Sequence, residues 1–289
     1  MTNALKMVVL GTIMSFEEGR CFYVDESRSS LNVVKNGTTE GFINKYMETI
    51  GLEKDDPFVQ QSFKTGKVET RVWNEYWDDL TMRRVYNKMY NLPYLGYENI
   101  EGHQLKREII RRLWRPLPEF REATCQALDQ HNLGDEYLAF SVRRGDKSLE
   151  KFAFTELKDY IAYAEAQAYR FGGQVPKIFV ATDDCTVMKE FRQMRPTWTF
   201  VSECDKEEEK QQEQGFALAD VKTWDEEQQE AHFKKFFVEI YALALAKVFI
   251  GVSYTNVSWW VYFMRPFRHS FILLNKPSHA QDHDVLDNW

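Results

Sequence analysis

The sequence predicts an α/β protein built on a Rossmann-type parallel sheet and preceded by a smaller, incomplete α/β lobe. Three observations carry that reading. Short apolar runs alternate with helical patterns from residue 137 onward, and that alternation is the mark of a parallel sheet with helices on both faces. Each run ends in a short polar or charged loop. The region before residue 102 lacks such order. We therefore expect two domains, an N-terminal lobe over 1–101 and a nucleotide-binding domain over 102–289.

In the first region Val8 to Leu10 fits a buried helix or a strand, and Cys21 to Val24 reads as a short strand. Residues 55–97 are rich in Trp and Tyr but weakly periodic. From Gln104 the pattern sharpens. Leu105, Ile109, Ile110 and Leu113 share one helical face, and Pro116 and Pro118 end that helix. A second helix runs from Pro118 to Gln130, stopped by Asn132-Leu133-Gly134. Strands follow at Tyr137 to Val142, Lys177 to Ala181, Trp198 to Ser202, Lys247 to Val252 and Ser270 to Leu274. Helices are expected over Thr155 to Phe171, Cys185 to Met194 and Glu227 to Ala246, and after Ser253-Tyr254-Thr255-Asn256 through Met264. The Glu- and Lys-rich stretch Cys204 to Gln214 reads as a solvated loop or exposed helix.

Composition narrows the function. A net charge of -7 opposes a broad electrostatic grip on nucleic acid, so an anionic ligand needs a local basic site. An aromatic content of 15% fits a well-filled core and equally a protein that stacks sugar rings. The apolar run Ala4 to Phe16 is too short to span a membrane and contains Lys6, so no membrane contact is expected. Cys21, Cys125, Cys185 and Cys204 form no CxxC pair. They read as free, partly buried thiols, with one long-range disulfide as the alternative. The histidines show no ligand spacing and no metal site is expected. Walker, GxGxxG and GxSxG motifs are absent.

In a parallel sheet, ligands gather at the carboxyl ends of the strands. Three polar loops lie there. Ser141-Val142-Arg143-Arg144-Gly145-Asp146-Lys147 puts two guanidinium groups and an ammonium directly after a buried strand. Such groups pair with phosphate oxygens at any physiological pH, and Asp146 can orient one arginine. The loop suits a diphosphate, or it is a structural ion-pair cluster. Asp183 and Asp184 can accept hydrogen bonds from a nucleoside, or cap the next helix. Ser253, Thr255 and Asn256 offer hydroxyls and backbone N–H groups to phosphate, or serve as simple caps.

These residues carry a resemblance. Ser141 to Lys147 resembles the His-Val-Arg-Arg-Thr-Asp-Lys motif of the core alpha-1,6-fucosyltransferases of N-glycans and the related bacterial nodulation enzymes. Ile178-Phe179-Val180-Ala181-Thr182-Asp183-Asp184 is similar to their second motif, and the segment leading to Ser253 through Asn256 to their third. Arg107 to Leu128, with Trp114-Arg115-Pro116 inside it, is similar to the stretch before their arginine loop. Order and spacing agree over roughly 102–264.

The resemblance implies a two-lobed GT-B-like fold and metal-independent, inverting transfer of fucose, or a similar sugar, from a GDP-sugar to a glycan hydroxyl. GDP-fucose is then a donor substrate, and no cofactor is needed. Arg143 would hold the β-phosphate and Arg144 would support the site. Asp184 would contact the guanine, and Asp146 and Asp183 would count among the donor-binding residues. Ser253, Thr255 and Asn256 would lie near the diphosphate. Arg143, Lys147 and Glu150 would carry the chemistry. The sequence departs from the family at two places. Ser141 replaces a histidine, and Lys151 stands where the family has a catalytic glutamate, so that Glu150 would need a small loop shift to serve. Residues 4–25 resemble the segment that follows the family's glycine-rich donor loop, which has no match here. A degenerate transferase fold that binds nucleotide or glycan without turnover is the alternative. The chain is expected in the cytoplasm if complete, and in the Golgi lumen if it is part of a secretory-pathway enzyme.

Overall fold

A computed structural model describes residues 2–18, 20–21, 23–26, 32–35, 38–48, 51, 55–67, 89–134, 136–144, 155–206, 221, 223–265 and 271–275. The chain divides into two compact units, one running to Leu117 and the other starting at Pro118.

In the first unit, helix α1 (Thr2–Glu18) absorbs Val8 to Leu10 and buries Leu5, Val9, Leu10 and Ile13. It packs against α4 (Gly102–Leu113), whose Leu105, Ile109 and Ile110 are buried on the face their spacing predicts. Two small antiparallel hairpins accompany them. One pairs β1 (Asn32–Lys35) with β2 (Thr38–Gly41), the other β3 (Met89–Leu92) with β4 (Tyr97–Glu101). Gly96 closes the second in the left-handed region at φ 78°, which glycine adopts without strain. Short helices α2 (Phe42–Tyr46) and α3 (Pro57–Lys64) complete the described elements. The strand expected over Cys21 to Val24 is not formed. Among the described residues Tyr23 makes only an isolated bridge to Gly51.

The second unit starts with α5 (Pro118–His131) and then alternates strand and helix: β5 (Leu138–Val142), α6 (Leu157–Gln167), β6 (Ile178–Thr182), α7 (Thr186–Met194), β7 (Phe200–Val201), α8 (Glu226–Leu245), β8 (Val248–Val252), α9 (Asn256–Met264) and β9 (Phe271–Leu274). The five strands form one parallel sheet in the order β7-β6-β5-β8-β9. The predicted α/β class and parallel sheet are thus observed. Strands β5, β6 and β8 are buried along their whole length, as unbroken apolar runs in a two-sided sheet should be.

Side-chain alternation divides the faces. Leu138, Phe140 and Val142 join Ile178 and Val180 in a core with Leu157, Tyr160 and Ile161 of α6 and Val187, Met188 and Phe191 of α7. Ala139, Ser141, Phe179 and Ala181 therefore point to the other face, where α8 lies over β5 and β6. Asp225 opens α8 with a capping box shared with Gln228. The buried guanidinium of Arg265 closes it, donating to the carbonyls of Leu243 (2.7 Å) and Ala246 (2.6 Å) and so satisfying the orphan acceptors of the last turn. Gly251 has no room for a side chain. A Cβ there would stand 2.5 Å from the Phe249 ring and 2.8 Å from Ser258 Oγ.

The cysteine expectation needs correction. Cys185 and Cys204 form a disulfide, 19 residues apart, while Cys21 and Cys125 are free and exposed. The pairing arises because β6 and β7 are neighbours, so the residues just past their ends meet. The polar stretch starts as a 3-10 turn at Glu203–Lys206, and residues 207–220 lie outside the described residues. No helix among the described residues is long and apolar enough to cross a membrane.

Candidate functional site

The strand order fixes where a ligand belongs. From β5 the chain steps outward to β6 and β7, then returns to the other side of β5 with β8 and β9. The order reverses between β5 and β8, and a crevice opens at the carboxyl ends of the strands at such a switch point. Arg143 and Arg144 follow β5 and Ser253 to Thr255 follow β8. Both lie at that crevice.

The register pairs Ser141 with Ala181 and Val142 with Thr182, which sets Arg143 beside Asp183. Arg143 Nη1 lies 2.7 Å from Asp183 Oδ2. The backbone N–H of Arg144 donates to Asp183 Oδ1 at 2.9 Å. One carboxylate thus ties both arginines to the end of β6. The two guanidinium groups then part. Arg144 donates to Glu190 of α7 through Nη1 (2.5 Å) and Nη2 (3.4 Å), and lies 4.0 Å from Asp184. This two-pronged pairing makes Arg144 a strut between loop and helix. The side chain of Arg143 is 28% exposed, against 5% for Asp183. Arg143 is therefore anchored from within and, like Arg144, partly exposed.

Asp183 and Asp184 have different tasks. Asp184 Oδ1 accepts from the backbone N–H of Thr186 at 3.0 Å and from its hydroxyl at 2.6 Å, so it caps the start of α7. The Thr182 hydroxyl accepts from the Asp184 N–H at 3.1 Å and stiffens the turn. At β8, Thr255 is buried and its hydroxyl accepts from the Ser258 N–H at 3.2 Å, capping α9. The carbonyl of Ser253 accepts from Trp259 Nε1 at 2.8 Å, and its hydroxyl donates to Asn275 O at 3.3 Å. Asn256 is the first residue of α9, at the helix end whose dipole favours an anion. Tyr160 donates to the carbonyl of Ser141 at 2.8 Å, and burial pushes its phenol well above the ordinary range. Asp146, Lys147 and Glu150 lie outside the described residues.

The sequence reading missed a polar stripe on α8. His232, Lys235 and Glu239 are spaced three and four apart and so share one helical face. This face looks toward the end of the sheet. Lys235 Nζ is 3.7 Å from Cys204 Sγ and 3.9 Å from Cys185 Sγ. Burial, with Lys235 and Arg143 nearby, lowers His232 to about 4, so its imidazole is neutral at neutral pH. Burial raises Glu239 to about 8, Glu203 and Asp183 adding to the rise and Lys235 and a Thr182 backbone hydrogen bond opposing it. The spacing was legible; the pairing of α8 with the ends of β5 and β6 was not. No group of three or more His, Cys, Asp or Glu among the described residues is arranged to hold a metal ion.

Fold and site together define a doubly wound α/β unit with a cationic, partly exposed side chain at its switch point. No protein-family model matches the sequence, and no curated protein does. Solved structures do match. A variant of Arabidopsis thaliana FUT1 in complex with GDP superposes with a TM-score of 0.50 at 10% identity, over 93% of this chain and 69% of that one. NodZ alpha-1,6-fucosyltransferase soaked with GDP-fucose gives 0.48 at 12% identity, over 92% and 89%. POFUT1 in complex with GDP gives 0.39 at 10% identity, over 60% and 48%. These structural neighbours are fucosyltransferases, and what the chain shares with the FUT1 structure is the fold.

Proposed function

We propose that the chain is a glycosyltransferase that binds a GDP-sugar, with fucose or a similar sugar as the transferred group. The observation that carries this reading is Arg143: it stands at the switch point, is anchored by Asp183 and remains partly exposed. That placement suits the β-phosphate of a nucleoside diphosphate, whose charge grows as the sugar departs. Backbone N–H groups at the α9 N-terminus would share that charge. In the same reading the polar groups around Asp183 and Asp184 face the nucleoside, and the N-terminal lobe expected over 1–101 lies on the acceptor side. The two-lobed GT-B arrangement, inversion and metal independence belong to this proposal. So do the roles of Glu150 as base, of Lys147 beside it and of Asp146 as an orienting group. The Cys185–Cys204 disulfide favours an oxidising compartment, and so the lumen of the secretory pathway over the cytoplasm.

A second reading has its own support. Lys151 occupies the position of the family's catalytic glutamate and Ser141 that of its histidine, which fits a fold that holds a nucleotide or glycan without turnover. Incubating the purified chain with labelled GDP-fucose and a panel of glycans, with and without chelator, separates the two. Labelled glycan formed equally with chelator, and lost in Glu150→Gln, supports the enzyme. GDP binding without transfer to any glycan supports the second reading.

A further inference from the structure

We propose that Glu239 is a positioning residue of the nucleoside diphosphate site, acting through Asp183 on Arg143. The inference rests on the donor-binding reading above and adds a control to it.

Its basis is geometric. Arg143 and Asp183 extend the alternation of β5 and β6 toward the face covered by α8, as Ser141 and Ala181 do. Glu239 comes from α8 to the same place. Its Oε1 is shut off from solvent and has no hydrogen-bond partner, although a carboxylate left so is costly. Other acceptors already surround it. Asp183 stands at the end of β6, and Glu203 follows β7, itself paired with His131 of α5. The cations in reach are Lys235 on α8 and, beyond Asp183, Arg143. Glu203 and Asp183 thus act on the buried Glu239 as like charges, and Lys235 opposes them. The Glu239 carboxyl also accepts a hydrogen bond from the Thr182 backbone, which sets it one residue from Asp183, while its chain neighbours Phe237, Val238 and Ile240 are core residues.

The consequence follows from charge. With Glu239 protonated, Asp183 is the main anion behind Arg143, and the guanidinium can turn part of its hydrogen bonding outward to a phosphate. When Glu239 loses its proton, a second negative charge appears behind Asp183. It draws the guanidinium inward and lowers the positive potential that a diphosphate meets. Donor affinity should fall as Glu239 ionises. Burial places that ionisation at about 8, above the range in which the phosphates of GDP titrate, about pH 6.

The test is calorimetric titration of the full chain with GDP at several pH values from 7 to 9, for the wild type, Glu239→Gln and Glu239→Met. Wild-type affinity should weaken by roughly tenfold across that range, the size of a coupling of about one pKa unit. Both variants should bind GDP with an affinity that is flat in pH, Gln because it mimics the protonated acid and Met because it cannot ionise. A variant whose profile parallels the wild type overturns the role of Glu239, and so does a flat wild-type profile. If the wild type binds no GDP at any pH, the donor reading itself fails, and that result is distinct from GDP binding with unchanged pH dependence.

Discussion

Loss of the Cys185–Cys204 bridge should weaken the second unit without touching the first. The bridge closes a loop of 19 residues that runs through α7 and β7. Closing a loop of that size removes about 3 kcal/mol of chain entropy from the unfolded state. For a unit spanning 118–279, this is a fall in melting temperature of roughly 6–12 °C. Both sulfurs are buried, so Cys185→Ala with Cys204→Ala is a cleaner perturbation than mild reductant. Scanning calorimetry should show the fall in the double variant, and no further fall on adding reductant. Thiol titration of the unfolded, unreduced wild type should find Cys21 and Cys125 alone. Four reactive thiols in that experiment, with equal melting of wild type and variant, would mean that the bridge does not form in the folded chain.

Three other outcomes follow from the site and its frame. Arg143→Ala should cut GDP affinity by roughly tenfold to a hundredfold, the range for one charged hydrogen-bonding group, with the fold retained by circular dichroism; unchanged affinity would remove Arg143 from the site. Glu239 holds its proton more tightly in the folded chain, so stability is full below about pH 4.5 and declines as pH rises toward 8. Glu239→Gln should abolish that decline and gain about 1–3 kcal/mol at pH 7 in urea melts, whereas a variant that loses stability there would place a needed ion pair at Glu239. Gly251→Ala should cost about 1–3 kcal/mol by overpacking against Phe249 and Ser258, and melting unchanged from wild type would show that β8 and α9 can part.

The second unit was largely legible because its signals are local. An apolar run of five residues ending in Arg143-Arg144, or in Thr182-Asp183-Asp184, can hardly be anything but a buried strand and its loop. Asp184 caps α7 as its position in the chain indicates. What the sequence hid depends on distant neighbours. Arg144 and Glu190 are 46 residues apart, and only the passage of α7 beside β5 and β6 joins them. The Cys185–Cys204 bridge needs β7 next to β6. Glu239 looks like a surface residue in a helix that is apolar on most sides, and its burial follows from α8 lying across the sheet. The first unit was opaque because its described strands pair only within hairpins and are not set off by the regular alternation with helices that marks the second unit. A segment such as Cys21 to Val24 then has strand-like composition but, among the described residues, only the single bridge of Tyr23 to Gly51.

The central claim is that Arg143 marks a site for a guanine nucleotide. Its most direct test is calorimetric titration of the purified chain with GDP, with UDP and ADP as controls. GDP should bind saturably, the other two weakly or not at all, and Arg143→Ala should bind GDP roughly tenfold to a hundredfold more weakly. No binding of any of the three, or equal binding of all three that survives Arg143→Ala, would contradict the claim.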